Sequence, residues 1–243
     1  MEERLAKKVA PAEVHLQENL RRSFHRGVHM KDYQVLDGIK KQGICAIVRG
    51  TSADTSCRIA DALLEGGVRT VEVTFNTPGA VGMIQELAKK YGDEMLIGAG
   101  TVLDSDTARI AILSGASFIL SPTLNVEMVK MCKRYSILPV PGVLTPTEAL
   151  TAWENGTQIV KIFPAGVLGP KYIEQLKGPL SQIEMMAVGG INMENFADFI
   201  RAGACSAGIG GELVNRRLVE EGKFDEITKR AAAFVSVLKE VHM

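Results

Sequence analysis

Lys161 stands within Gln158-Ile159-Val160-Lys161-Ile162-Phe163-Pro164-Ala165-Gly166, a run whose apolar, β-branched start has the length of a buried strand. Lysine is seldom enclosed without a partner or a task. Burial disfavours the ammonium form and leaves a neutral amine able to attack a carbonyl carbon, the chemistry of a Schiff-base lysine. The structural alternative is a lysine at a strand end whose head reaches into solvent. Two further strand-like runs end in or enclose a charge, Ala46-Ile47-Val48-Arg49 and Thr70-Val71-Glu72-Val73-Thr74. Alternation puts Ile47 with Arg49, Ile159 with Lys161, and Glu72 with Thr74. If Val71 and Val73 face helices, Glu72 and Thr74 point the other way, and arginine, glutamate and lysine converge on one mouth. That convergence favours the chemical reading of Lys161.

Each charge has its own use. Arg49 presents a planar fork suited to a substrate carboxylate, and its positive charge disfavours a second cation nearby. Glu72, partly desolvated, is suited to carry protons, the alternative being a structural ion pair with Arg49 or Lys161. Thr101 closes Gly98-Ala99-Gly100-Thr101 and offers a hydroxyl and an amide beside glycines that let a ligand approach the backbone. Val188-Gly189-Gly190-Ile191 and Ile209-Gly210-Gly211-Glu212 are glycine pairs whose exposed amides suit a phosphate, or else plain tight turns. Three of the four histidines lie at positions 15, 25 and 29, and the fourth is His242. The body of the chain thus lacks the residues for a His-ligated metal enzyme or for a Ser-His or Cys-His pair, so acid-base work falls to carboxylates, lysine, tyrosine or cysteine; no metal ligand or cofactor is assigned.

The elements that must hold these groups follow an alternating pattern. A leading helix, about Asp32 to Lys41, precedes a strand from Ile44 to Val48. Strand and helix periods then alternate through strands at Thr70–Thr74, Met95–Ala99, Ser117–Leu120, Ile137–Val140, Gln158–Ile162, Glu184–Val188 and Cys205–Ile209. The helices between are expected from a cap at Thr51 or Ser52 to Glu65, then at Pro78–Lys90, Asp104–Leu113, Val126–Lys133, Thr147–Glu154, Lys171–Lys177, Met193–Arg201 and from Glu212 onward. About eight such units predict a (β/α)8 TIM barrel as a single domain over 31–243. A doubly wound open sheet is the alternative, weakened because no GxGxxG turn follows an early strand. Residues 1–30 form an N-terminal extension without sustained apolar periodicity, either disordered, partly helical or foreign to the domain.

Composition sets limits on partners. Lysine plus arginine equals aspartate plus glutamate at 28 each in 243 residues, so no overall field draws in nucleic acid. No apolar run reaches membrane-spanning length. Cys45, Cys57, Cys132 and Cys205 are widely separated with no metal-site spacing, which suggests a reduced, cytoplasmic setting.

Taken in order, Ala46-Ile47-Val48-Arg49-Gly50, Val71-Glu72-Val73-Thr74, Ile97-Gly98-Ala99-Gly100-Thr101-Val102, Ser121-Pro122, Pro141-Gly142, Thr145-Pro146-Thr147-Glu148, Lys161-Ile162-Phe163-Pro164 and Val188-Gly189-Gly190-Ile191 resemble the 2-keto-3-deoxy-6-phosphogluconate (KDPG) aldolase family, from about Asp32 onward. The resemblance implies a class I, metal-free aldolase on a (β/α)8 barrel, usually a homotrimer, acting on a small molecule to give pyruvate and a phosphorylated aldehyde. It implies that Lys161 forms the Schiff base, Glu72 is the acid-base, and Arg49 with Thr101 holds the pyruvyl carboxylate. Gly189, Gly190, Gly210 and Gly211 would receive the phosphate, with Thr74, Asn76, Phe163 and Pro141 lining the rest of the pocket. Two departures bear on substrate. Asn76 stands where many members have arginine, as in relatives acting on the 6-phosphogalactonate epimer (KDPGal), and Gly211 replaces a serine of the phosphate loop. A 4-hydroxy-2-oxoglutarate (KHG) substrate, or a non-catalytic scaffold on the same barrel, are the further alternatives.

Overall fold

The computed structural model describes residues 31–242, so the expectation for residues 1–30 lies outside them. Helix α1 (Asp32–Gln42) leads into β1 (Ile44–Val48), α2 (Ala53–Glu65), β2 (Thr70–Thr74), α3 (Ala80–Tyr91), β3 (Leu96–Gly100), α4 (Ser105–Leu113), β4 (Phe118–Leu120) and α5 (Val126–Arg134). Then come β5 (Leu138–Val140), β6 (Gly142–Val143), α6 (Pro146–Glu154), β7 (Ile159–Ile162), α7 (Ala165–Leu168) and α8 (Pro170–Lys177). The chain ends with β8 (Glu184–Val188), α9 (Phe196–Arg201), β9 (Ser206–Ile209), α10 (Arg216–Glu220) and α11 (Phe224–Val241). All pairings are parallel and the strand order is β5-β4-β3-β2-β1-β9-β8-β7-β6.

Among the described residues nine strand segments make eight barrel positions, because β5 and β6 are halves of one extended stretch broken at Pro141. Proline has no N–H to give the ladder. Leu138–Val140 pairs with β4 and Gly142–Val143 with β7, while the Pro141 carbonyl accepts the Lys161 N–H at 2.9 Å. The turn from one partner to the other closes the barrel. Gly142 is required at that seam, since a Cβ there would stand 2.3 Å from the Pro122 carbonyl carbon.

Two cores result from strand alternation. Ala46, Val48, Val71, Val73, Val160 and Ile162 face the helices, whereas Cys45, Ile47, Phe118, Leu138, Ile159, Met186 and Val188 fill the barrel. Phe118 occupies the space beside Gly98, where a Cβ would meet its ring at 2.3 Å. Helix α1 plugs the N-terminal end: Val35 and Ile39 join the inner core, Lys40 pairs with Glu184, and Asp32 pairs with Lys133 at 2.6 Å.

The helices start where side chains can take up free N–H groups. Ser52, Asp104 and Asn125 accept from the amides of Thr55, Thr107 and Met128, and Thr145 with Glu148 forms a capping box. Three expected helices differ in extent. The one expected from Pro78 starts at Ala80, after a turn in which Gly79 takes φ +80°. The one expected from Met193 starts at Phe196, because the Asn192 side chain takes the N–H groups of Glu194 and Asn195 in a turn. The last splits into α10 and α11, with Gly222 at φ +71° between them. The short helix α7 after β7 is an addition to the expected pattern. Among the described residues no helix is long and apolar enough to cross a membrane.

Candidate active site

Lys161 is the third residue of β7 and Glu72 the third of β2; both are buried, at 5% and 1% exposure. That rules out the snorkelling alternative for Lys161. Its Nζ lies over the Phe163 ring, 4.9 Å from the ring centre, within the range in which an aromatic face holds a lysine head. Among the described residues Lys161 and Glu72 make no ion pair, and Glu72 Oε2 is buried with no hydrogen-bond partner. An unpartnered carboxylate oxygen in a barrel interior is costly and is kept for a reason other than stability. Burial holds the Glu72 carboxyl above the usual carboxylate range, and the attraction of Lys161, then of Arg49, pulls the other way. Cys45 shares this interior: burial pushes its thiol up, the Glu72 charge adds to the rise, and Lys161 opposes it.

Gly100 has a different use from the one its sequence context suggests. A Cβ on Gly100 would fall 1.5 Å from Glu72 Oε1 and 2.3 Å from its Cδ. The glycine thus leaves room for the carboxyl of Glu72, not for a ligand against the backbone. Thr101 follows it with φ +58°, a left-handed conformation uncommon for a branched residue. Thr74 is buried and its hydroxyl lies 3.2 Å from that of Thr77. Thr77 in turn accepts the Gly50 N–H at 3.0 Å, tying the end of β2 to the turn that follows Arg49.

Arg49 extends from the end of β1 toward β9, with Nη2 3.9 Å from where a Cβ on Gly210 would stand. Among the described residues it is the only cation lining a cleft of about 490 Å3 that also includes Phe163, Gly189, Gly190, Gly210 and Gly211. The structure therefore brings Arg49, Phe163 and the four glycines together. Lys161, Glu72, Thr74, Thr101, Asn76 and Pro141 lie outside that lining: Lys161 and Glu72 are buried deeper in the barrel, Asn76 is exposed, and Pro141 is buried in the barrel seam. Among the described residues no group of three or more His, Cys, Asp or Glu side chains could hold a metal ion. Sequence reasoning passed over Thr77 and the packing role of Gly100. Neither carries a local signal, since both act through contacts made across strands.

Charged groups buried toward the C-terminal ends of strands in a closed parallel barrel define a class, the (β/α)8-barrel enzymes, whose chemistry sits at that face. The family model described as KDPG and KHG aldolase matches residues 35–230, and the chain belongs to that family of aldehyde-lyases. It is 38% identical over 202 residues to the 2-dehydro-3-deoxy-6-phosphogalactonate aldolase of Escherichia coli, covering 82% of this chain and 96% of the relative. It is 32% identical over 207 residues to the 2-dehydro-3-deoxy-phosphogluconate aldolase of Haemophilus influenzae, covering 85% and 97%. Among solved structures, the KDPG aldolase of Legionella pneumophila, with pyruvate captured as a covalent carbinolamine, superposes with a TM-score of 0.75 at 26% identity over 79% of this chain and 93% of that one.

Proposed function

We propose that the barrel over residues 31–243 is a class I aldolase that cleaves a 2-keto-3-deoxy-6-phospho sugar acid, KDPG, to pyruvate and glyceraldehyde 3-phosphate. The observation that carries this reading is the buried Lys161 beside a buried carboxylate with an unpartnered oxygen. The neutral amine of Lys161 adds to the C2 ketone, and Glu72 relays the protons that expel water as the iminium forms. Glu72 then takes the C4 hydroxyl proton, the C3–C4 bond breaks into the iminium, and the aldehyde leaves. The enamine is protonated at C3 and hydrolysed, returning Lys161 and releasing pyruvate. A carboxyl held above its usual range is suited to both directions of transfer near neutrality. Arg49 and Thr101 receive the carboxylate of the substrate, and the amides of Gly189, Gly190, Gly210 and Gly211 receive the phosphate. No cofactor takes part.

The galactonate epimer is the second reading, favoured by Asn76 and by the higher identity to the galactonate-type relative, 38% against 32%. Both epimers yield the same two products. The protein is proposed to act as a cytoplasmic homotrimer; Ile110 and Leu113, exposed apolar side chains one turn apart on α4, with exposed Leu103 just ahead of that helix, supply a surface suited to burial against another copy. The test is pyruvate release from KDPG and KDPGal by the protein and by Lys161→Ala. Release that requires Lys161 supports the reading, and equal release by both proteins contradicts it.

A further inference from the structure

The loop that follows Lys161 is locked to the glycine loop that follows β8. The Gly166 N–H donates to the Gly189 carbonyl at 2.7 Å. A Cβ on Gly166 would stand 2.8 Å from Gly190 Cα and 2.9 Å from the carbonyl oxygens of Gly189 and Gly190, so the two backbones meet with no room between them. On the other side of Gly189, a Cβ would lie 3.0 Å from the Phe163 ring, and that same ring carries the Lys161 Nζ over its face at 4.9 Å. In a trans peptide the C=O and N–H point in opposite directions. With its carbonyl turned to Gly166, the Gly189–Gly190 peptide directs the Gly190 N–H away from Gly166, and Gly190 lines the cleft. No backbone or side-chain acceptor among the described residues takes that N–H.

From this geometry we infer that an anion in the glycine cleft acts on the reacting amine: the distal phosphate of the substrate orders Lys161 through Gly189, Gly166 and Phe163, and so raises the rate of iminium chemistry as well as affinity. The inference rests on the aldolase reading above and deepens it. An anion accepting the Gly190 N–H polarises its peptide and strengthens the bond from Gly166 to the Gly189 carbonyl. It also fixes the Cα of Gly189 against Phe163, the ring that seats the Lys161 head. Phe163 and Gly166 are thus positioning residues. The binding energy of a remote group is then spent on orienting the catalytic group, which appears in kcat and not only in KM.

The phosphate can be supplied in trans. Pyruvate, which has none, undergoes exchange of its C3 protons in D2O: Lys161 adds to C2, water leaves, Glu72 takes a C3 proton to give the enamine, and a deuteron from the exchanged carboxyl returns before hydrolysis. The exchange rate at saturating pyruvate is measured with and without inorganic phosphite, and phosphite binding is followed separately by its 31P line width. The expected result is acceleration of about tenfold by phosphite in the wild-type protein, within the usual range for coupling between two sites. In both Gly166→Ala, which forces the loops apart, and Phe163→Leu, which keeps an apolar side chain without the ring face, the ratio with and without phosphite should fall toward one. Phosphite that binds without changing the exchange rate overturns the coupling and leaves the aldolase reading standing. Full acceleration retained in both variants overturns the route through Phe163 and Gly166. Exchange without phosphite binding overturns the inference and the phosphate role of the glycines while leaving the Lys161 chemistry standing, and absence of exchange overturns the underlying reading and the inference with it.

Discussion

Replacing Gly100 with alanine puts a methyl group where the Glu72 carboxyl now sits. The new Cβ would lie 1.5 Å from Oε1, 2.3 Å from Cδ and 2.6 Å from Cγ. Ordinary contact needs roughly 3.5 Å, so the carboxyl must withdraw by roughly 2 Å, which is rotation of a side chain and leaves the backbone pairing of β2 and β3 intact. Misplacing a reacting group by about 1 Å can cost about 100-fold. Gly100→Ala should therefore fold, form the same parallel barrel, and lose at least about 100-fold in kcat. Overpacking would lower stability by only about 1–3 kcal/mol. The assay is pyruvate release from KDPG or KDPGal per folded molecule, with thermal unfolding in parallel. Gly98→Ala is the control: its Cβ would meet the Phe118 ring at 2.3 Å, so it should lower Tm at least as much while sparing kcat far more. A Gly100→Ala protein with wild-type kcat would refute the idea that this glycine seats Glu72.

The hydroxyl of Thr77 holds the turn after Arg49, so Thr77→Val should raise KM about fivefold, the worth of one hydrogen bond near 1 kcal/mol, with kcat nearly unchanged. Thr77→Ser should restore it, and an unchanged KM in the valine variant would remove Thr77 from the site. Glu72 has its folded pKa raised by burial, so its contribution to stability is greatest below its unfolded pKa and is lost as pH rises through the folded one. Glu72→Gln should accordingly unfold at a higher temperature than wild type near neutral pH, with the gap closing as pH falls into the ordinary carboxylate range; thermal melts across that window test the sign. Glu148 is the opposite case, lowered chiefly by the Leu144 amide, then by the Thr145 hydroxyl and amide against partial burial. Its stabilisation is present above its unfolded pKa and lost as pH falls through the folded one. Glu148→Ala should cost about 1 kcal/mol at neutral pH, as loss of a capping partner does, and equal stabilities at neutral pH would contradict that.

Much of this was legible in the chain because barrels write their geometry in short periods. Strand alternation put Val71 and Val73 on the helix side, and so Glu72 inside, with Lys161 on the face of Ile159, as found. The split at Pro141 was less visible: it depends on which neighbour each half of one strand pairs with, a matter of closure rather than local pattern. The room at Gly100 for the Glu72 carboxyl was invisible for a similar reason. Glu72 is in register with Gly98 and Thr74 with Gly100, so only the lean of one side chain along its strand brings the two together. Helix starts at Pro78 and Met193 were misplaced because side-chain and glycine turns took over the first residues, a local competition that apolar spacing does not record.

The central claim is that Lys161 forms a covalent imine with pyruvate, and borohydride trapping tests it most directly. The protein is incubated with saturating pyruvate, reduced, digested and mapped by peptide mass spectrometry. A reduced pyruvyl adduct on Lys161, absent in Lys161→Ala, is the predicted result. An unmodified Lys161, or an adduct on another lysine, would contradict the account and return Lys161 to a structural role.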